Sequence, residues 1–179
     1  LGISFPYVKM GAIDSLDLLG VTELMILQIY RENKWRKVLD IGANLGLHSI
    51  IMASQDFEVR AYEPDPTHFQ HLLDNVYRNG YADLVECNRA AVHTSYGEAE
   101  FVRVLNNLTG NHLAGYKQSY GPRESIIVPT VDCRSLWAWA DFAKLDCEGN
   151  EADLVETTTE DDMNHLSMIM EVRNSENAG

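Results

Sequence analysis

A glycine turn between two apolar runs is the feature of this sequence best suited to ligand chemistry. Gly42 and Gly46 lie between the apolar run 37–41 and a second apolar run, 47–54. Glycines let the backbone turn tightly and approach a ligand, and a helix opening at such a turn directs free N–H groups at an anion. A GxxxG spacing is weak evidence by itself, because ordinary turn chemistry also produces it.

Two acids strengthen this interpretation. Asp40 belongs to the first apolar run, where a carboxylate is costly unless another group donates a hydrogen bond to it. Glu63 ends the next predicted strand, at the distance at which an acid accepts two hydrogen bonds from ribose hydroxyls. With the glycine turn between them, these acids predict a nucleoside cofactor. The simpler alternative is a capped turn and a surface glutamate.

The loop spacing indicates which nucleoside would bind. Dinucleotide loops favour GxGxxG, whose second glycine makes room for a pyrophosphate, whereas this loop has Asn44 in its middle and an acid just before it. S-adenosylmethionine (SAM) fits such a loop, because it carries a sulfonium cation, a ribose for Glu63 and a carboxylate for the helix N-terminus. The predicted cofactor contacts are Asp40, Gly42, Ala43, Asn44, Gly46, His48, Ser49, Glu63, Pro64, Ala91 and Asp146.

Two of these contacts have simpler alternatives. His48 follows the glycine turn closely and is either a partly exposed helix residue or a contact to the substrate. Ala91 is predicted only because its segment falls where adenine would pack.

The run KLDCEGNE at 144–151 supplies the candidate catalytic acids. Asp146 and Glu148 follow a predicted buried strand, where their side chains can reach a transferred methyl group. Methyl transfer depends mainly on alignment, and it needs a base only if the acceptor is an alcohol or an amine. Either acid could take that proton; alternatively, both orient the loop and hydrogen-bond the substrate. The histidines show no metal-ligand spacing, so no metal site is predicted.

The elements that must position these residues alternate between strand and helix. Helices are predicted over 22–33, 47–54, 67–79 and 151–158. Strands are predicted over 37–41, 58–62, 84–87 with 90–92, 99–105, 125–131, 142–146 and 168–172. The alternation predicts an α/β fold with a parallel sheet built from right-handed βαβ units. Residues 1–21 are predicted to be an extension or cap, and 22–179 the SAM-binding domain.

Three ordered motifs resemble the FkbM-type methyltransferases, a branch of the class I SAM-dependent enzymes. Val38–Ser49 is similar to the first motif of that family, Tyr62–Pro66 to the second and Lys144–Glu151 to the third. The resemblance covers roughly residues 22–172. It implies a Rossmann-like, doubly wound, mostly parallel sheet in three α/β/α layers. It also implies methyl transfer, usually to oxygen, on a small metabolite or sugar-containing acceptor.

The end of the sequence departs from that family pattern. The sequence stops eight residues after Glu171, whereas such enzymes normally add two more strands. Either this is a fragment or short form that lacks the last strands, or the runs 99–105 and 125–131 help to finish the sheet. A fifth strand left as an open edge would favour pairing with another chain, such as a homodimer.

Three expectations concern residues around the predicted pocket. His68 and His71 are expected at the surface of the helix predicted over 67–79. The polar segment 106–123 is expected to be either a binding loop, with Tyr116, Tyr120 and Arg123 near the acceptor, or a disordered surface loop. The predicted extension, residues 1–21, is a further candidate to cover the pocket.

Charge and cysteine content exclude several other functions. The 27 acidic against 14 basic residues give a net charge of −13, which should repel nucleic acids and anionic lipids. The three cysteines are widely spaced and no secretory leader is visible, so a cytoplasmic protein is expected.

Two alternatives to an active methyltransferase stay open. One is an inactive or truncated SAM-binding module, and the other, disfavoured by the loop spacing, is an NAD-dependent oxidoreductase.

Overall fold

The computed structural model of the chain describes residues 2–6, 9–10, 13–14, 20–105, 110–116 and 121–171. Its helices are α1 (Val21–Glu32), α2 (Leu47–Ala53), α3 (Pro66–Arg78), α4 (Arg134–Trp137), α5 (Glu151–Val155) and α6 (Glu160–Met163). Its strands are β1 (Lys9–Met10), β2 (Ile13–Asp14), β3 (Lys37–Ile41), β4 (Glu58–Tyr62), β5 (Val85–Asn88), β6 (Ala91–His93), β7 (Gly97–Val104), β8 (His112–Leu113), β9 (Arg123–Asp132), β10 (Phe142–Leu145) and β11 (Ser167–Met170).

A five-stranded parallel sheet forms the centre of the molecule, in the order β11-β10-β3-β4-β5. The chain runs outward from β3 to β4 and β5, and it later returns to the other side of β3 as β10 and β11. The strand order therefore reverses between β3 and β10. Ligands of such sheets bind at the carboxyl ends of the strands beside this switch point, which is where the glycine turn lies.

Helices cover both faces of this sheet. Val38 and Phe142 belong to a core cluster that also contains residues of α1, α2 and α3. Their neighbours Leu39 and Ala143 point to the opposite face and belong to a second cluster, with residues of α4 and α5. Strands buried on both faces have nearly continuous apolar runs, which is why they could be recognised in the sequence. The predicted α/β class with three layers is confirmed.

A second sheet, in the order β6-β9-β7-β8, corrects two expectations. The run at 90–92 was expected to continue the third strand, but Ala91 pairs in parallel with Thr130 of β9. The runs 99–105 and 125–131 do not finish the parallel sheet. Instead β7 and β9 pair with each other in antiparallel fashion, from Gly97 opposite Thr130 to Val104 opposite Arg123. This long ladder satisfies the backbone groups of both strands without the parallel sheet.

Residues 2–6 lie away from the carboxyl ends of the strands. The backbone N–H of Ser4 donates to Asn79 Oδ1 at 2.7 Å, and Asn79 donates back to the Ser4 carbonyl. Asn79 follows the last turn of α3 (Pro66–Arg78), about 20 Å along the helix from its first residue. Residues 2–6 therefore pack at the far end of α3 from the switch point. No helix in the described part of the chain is long and apolar enough to span a bilayer.

Candidate functional site

A cleft lies at the carboxyl ends of β3, β4 and β10, and residues of the second sheet form its opposite wall. Of the predicted cofactor contacts, Gly42, Asn44, Glu63, Pro64, Ala91 and Asp146 line it, and so does the predicted catalytic residue Glu148. The second sheet and the loop before β8 contribute Phe101, Asn111 and Leu113. The sequence motifs thus meet at one cleft, but seven of its 17 lining residues lie outside these motifs.

Gly42 brings the end of β3 into direct contact with the end of β10. Its φ of +76° is in the left-handed region, and a Cβ on it would lie 1.9 Å from the carbonyl oxygen of Asp146. The N–H of Asp146 donates to the Ile41 carbonyl across the same contact at 3.0 Å. A side chain at position 42 would therefore have to move a backbone carbonyl, which explains the requirement for glycine.

Glu63 lies in the cleft with only 4% of its surface exposed, and it is not the surface glutamate of the simpler alternative. Its Oε2 accepts a hydrogen bond from the N–H of Asn44 at 2.8 Å, and its Oε1 accepts one from the N–H of Asp65 at 2.9 Å. Burial raises its pKa to about 8 in spite of these two bonds. When the carboxyl group is ionised, each oxygen keeps a second lone pair for a ligand donor.

Asp40 and Ser49, both predicted as cofactor contacts, lie behind the cleft and do not line it. Both side chains are fully buried, and Ser49 Oγ donates to Asp40 Oδ2 at 2.6 Å. Lys144 Nζ lies 3.4 Å from Asp40 Oδ1 and 3.3 Å from Asp146 Oδ2. The protein itself thus supplies the donor that the buried carboxylate of Asp40 needs. Asp40 and Ser49 support the cleft wall from behind.

The same lysine sets the charge of Asp146. The partial burial of Asp146 would by itself raise its pKa, but the charge of Lys144 and the hydrogen bonds with Glu171 and Lys144 together hold the pKa below its ordinary value. Burial would likewise lower the pKa of Lys144, and Asp146 and Asp40 together raise it instead. Asp146 therefore stays ionised at neutral pH and is a poor proton acceptor.

His48 joins two helices and does not line the cleft. Its Nε2 lies 2.8 Å from Glu23 Oε2, and its Nδ1 lies 2.9 Å from the hydroxyl of Tyr30. Both ring nitrogens are thus occupied by residues of α1. Ala43 and Gly46 also lie outside the lining, and both shape the turn. The N–H of Ala43 donates to the Tyr62 carbonyl at 3.0 Å, and the N–H of Gly46 donates to the Ala43 carbonyl at 2.8 Å.

The loop after β10 is held in an unusual backbone conformation. Glu148 and Gly149 have φ angles of +66° and +136°, and a Cβ at Gly149 would lie 2.9 Å from that of Tyr116. The carboxylate of Glu151 accepts hydrogen bonds from the N–H groups of Cys147 at 2.7 Å and Gly149 at 2.9 Å. Glu151 thus fixes the segment that carries both candidate catalytic acids.

Tyr116 and Arg123, which were predicted to lie near the acceptor, are outside this lining. The hydroxyl of Tyr116 donates to Asp153 Oδ2 at 2.5 Å. Arg123 is exposed at the start of β9, and Tyr120 lies outside the described residues.

His68 is buried, with 2% of its surface exposed, so its predicted surface position is wrong. Asp65, the N-cap of α3, accepts hydrogen bonds from Arg103 at 2.5 Å and from Asn111 at 3.1 Å. These contacts hold the second sheet over the first turn of α3 and bury the imidazole. The sequence carried a signal for this burial, because His68 precedes the buried Leu72 by four residues and so lies on the same helix face.

Three polar atoms of cleft-lining residues lack a hydrogen-bond partner among the described residues. They are Asn44 Oδ1, His68 Nε2 and Asn150 Oδ1. His68 and Asn150 are almost fully buried, and Asn150 uses its amide nitrogen to donate to the Val92 carbonyl at 3.0 Å. Buried polar atoms are normally paired. Two of these atoms are amide oxygens, so a ligand that donates hydrogen bonds would satisfy them.

Asp146, Glu148 and Glu171 place one carboxylate oxygen each within 4.8 Å of the other two. Lys144 already supplies a positive charge to this group, 3.3 Å from Asp146. An acidic cluster is common without an ion, and the absence of a metal stays a prediction.

Comparisons with known proteins support the fold. No protein-family model and no curated protein matches the chain. A structure from Staphylococcus aureus, assigned to the caffeoyl-CoA O-methyltransferases, aligns over 90% of this chain and 59% of its own, with 15% identity and a TM-score of 0.50. A methyltransferase from Geobacter sulfurreducens aligns over 83% of this chain and 60% of its own, with 18% identity and the same TM-score. The chain thus has the Rossmann-like α/β fold of these methyltransferases and spans about three fifths of their length.

Proposed function

We propose that this chain is a SAM-dependent methyltransferase of the FkbM type that methylates a hydroxyl oxygen of a small metabolite or sugar-containing acceptor. The observation that carries the proposal is the carboxyl group of Glu63, buried in the cleft and oriented by the N–H groups of Asn44 and Asp65. A buried acid with free lone pairs is suited to the two hydroxyls of a ribose.

The residues of the cleft fit a sulfonium nucleoside. Glu63 would bind the ribose, and Pro64 and Ala91, which line the same cleft, would contact the adenine. Gly42 has no side chain to block the floor, and the ionised Asp146 gives the cleft the negative charge that a cation requires. The unpartnered oxygens of Asn44 and Asn150 provide acceptors for further ligand donors.

In methyl transfer, the protein itself has to supply little chemistry. SAM, when bound, supplies a methyl group on a sulfonium that is already a good leaving group. Walls drawn from both sheets would hold the acceptor oxygen in line with that methyl carbon, and such alignment can contribute about 7–11 kcal/mol. As the new carbon–oxygen bond forms and the carbon–sulfur bond breaks, the hydroxyl proton must leave. Glu148 would accept it, since Asp146 is held ionised by Lys144 with a low pKa.

The remaining parts of the proposal concern the binding partners of the protein and its location in the cell. A cleft closed by Phe101 and Leu113 of the second sheet suits a small molecule, and the net charge of −13 disfavours nucleic acids and membranes. β11 lies at the edge of the parallel sheet, where pairing with a second copy would form a homodimer. The three widely spaced cysteines, none of them in a disulfide, support a cytoplasmic location.

Titration calorimetry with SAM and with NAD, followed by an assay of methyl release, tests the proposal. We expect SAM to bind and NAD not to bind. Glu63→Gln should weaken SAM binding about 30-fold, or ~2 kcal/mol, because it removes the charge that accepts the ribose hydroxyls. Glu86→Gln, a half-exposed carboxylate on neighbouring β5, is the matched control and should bind like the wild type. Unchanged affinity in the Glu63 variant would contradict the assignment, and binding without turnover would favour an inactive module.

Nucleoside affinity should also rise with pH. Because the pKa of Glu63 is about 8, the free protein carries a proton there at pH 6, whereas ribose hydroxyls donate best to the ionised carboxylate. Binding therefore releases a proton, and affinity should increase by at most about tenfold per pH unit up to pH 8. Titration with 5′-methylthioadenosine, whose own groups do not ionise in this range, measures the slope. Glu63→Gln should flatten it, and a slope that persists in this variant would assign it to another group.

A further inference from the structure

His68 has the position of a ligand-binding side chain, although no motif includes it. It is the third residue of α3, it lines the cleft, and only 2% of its surface is exposed. Its Nδ1 lies 3.8 Å from Glu63 Oε1, and its Nε2 has no partner among the described residues. Buried polar atoms are normally paired, so a ligand that donates a hydrogen bond to Nε2 would supply the missing partner.

The surroundings determine which kind of bond Nε2 can make. Burial lowers the pKa of His68 below its ordinary value, so the ring is neutral, with one N–H and one lone pair. Nδ1 lies 3.8 Å from Glu63 Oε1, which is an acceptor once the nucleoside has bound and Glu63 is ionised, so the ring proton is then favoured at Nδ1. The lone pair then stays on Nε2, and the ligand must provide a donor.

We propose that His68 Nε2 accepts a hydrogen bond from a ribose hydroxyl of the bound nucleoside, so that the site selects ribonucleosides over deoxyribonucleosides. This inference rests on the proposed function, because it needs the sugar beside Glu63. Glu63 supplies a charged acceptor, and His68 supplies a neutral one, Nε2, on the ring whose Nδ1 lies 3.8 Å from Glu63 Oε1. Two acceptors in one cleft can each bind one of the two hydroxyls of a ribose, and one of them has no donor to bind in a deoxyribose.

The test compares three ligands: S-adenosylhomocysteine, its 2′-deoxy form and its 3′-deoxy form. We expect the wild type to bind at least one deoxy form ten or more times more weakly than the parent. His68→Leu should reduce that factor at least fivefold. His68→Gln, whose side-chain oxygen reaches the position of Nε2, should restore it. His71→Leu, one turn further along α3, is the matched control and should keep the discrimination of the wild type.

Each outcome separates the two proposals. If His68→Leu weakens all three ligands equally, or leaves the discrimination unchanged, His68 has a structural role and only this inference is wrong. If the wild type binds none of the ligands, the proposed function fails and the inference fails with it. Imidazole ¹⁵N spectra of the wild type avoid any folding defect of the variants. The resonance of unprotonated Nε2 should shift upfield on adding S-adenosylhomocysteine, and the absence of a shift would overturn the inference.

Discussion

Replacing Gly42 with alanine should destabilise the protein by about 2–5 kcal/mol and abolish detectable nucleoside binding. A left-handed φ costs a non-glycine residue about 1–2 kcal/mol, and forcing extra atoms into a packed contact costs about 1–3 kcal/mol more. Here the new Cβ would lie 1.9 Å from the carbonyl oxygen of Asp146. Relief of that collision must separate the ends of β3 and β10, and the cleft lies between these ends.

Gly80→Ala is a closely matched control for the backbone cost. Gly80 has a φ of +75°, almost the same as Gly42, but nothing lies within 4 Å of its missing Cβ. This variant should therefore lose only about 1–2 kcal/mol and bind nucleoside normally. Urea denaturation measures both losses, and calorimetry measures binding. Equal losses in the two variants would mean that the approach of position 42 to Asp146 has no energetic consequence.

The parallel sheet and the central acid could be predicted because both leave local signals in the sequence. The run 37–41 is apolar throughout, since its strand is buried on both faces, and the glycine turn follows it at once. Glu63 ends the next such strand, so its place at the carboxyl edge follows from the fold class alone. Asp40 was expected to need a donor, and the structure supplies two, Ser49 and Lys144.

The second wall of the cleft could not be predicted, because it depends on pairing between distant segments. β6 belongs to the second sheet because it pairs with β9, with Ala91 opposite Thr130. Asn111 and Arg103 hydrogen-bond to Asp65 from much later in the chain and so bring the second wall against the first turn of α3. Lys144, likewise, reaches Asp40 across 104 positions. Short motifs carry no information about such contacts, and so they contain only ten of the 17 residues that line the site.

The acid after β10 offers the largest expected effect on catalysis. Lys144 holds Asp146 ionised with a lowered pKa, which leaves Glu148 as the candidate proton acceptor among the acids that line the cleft beside it. A general base typically contributes at least about 100-fold to the rate. Glu148→Gln should therefore lower kcat about 100-fold with a hydroxyl acceptor, whereas the affinity for S-adenosylhomocysteine should change less than twofold.

Steady-state kinetics and calorimetry together test this division between chemistry and binding. Glu98→Gln, an exposed carboxylate on β7, should leave both kcat and affinity unchanged. A parallel loss of kcat and affinity in Glu148→Gln would indicate that the loop, held at a φ of +66° at this residue, had lost its shape. A kcat within threefold of the wild type would contradict the role of base. It would point instead to an acceptor that is already ionised, such as a carboxylate, because such an oxygen has no proton to lose.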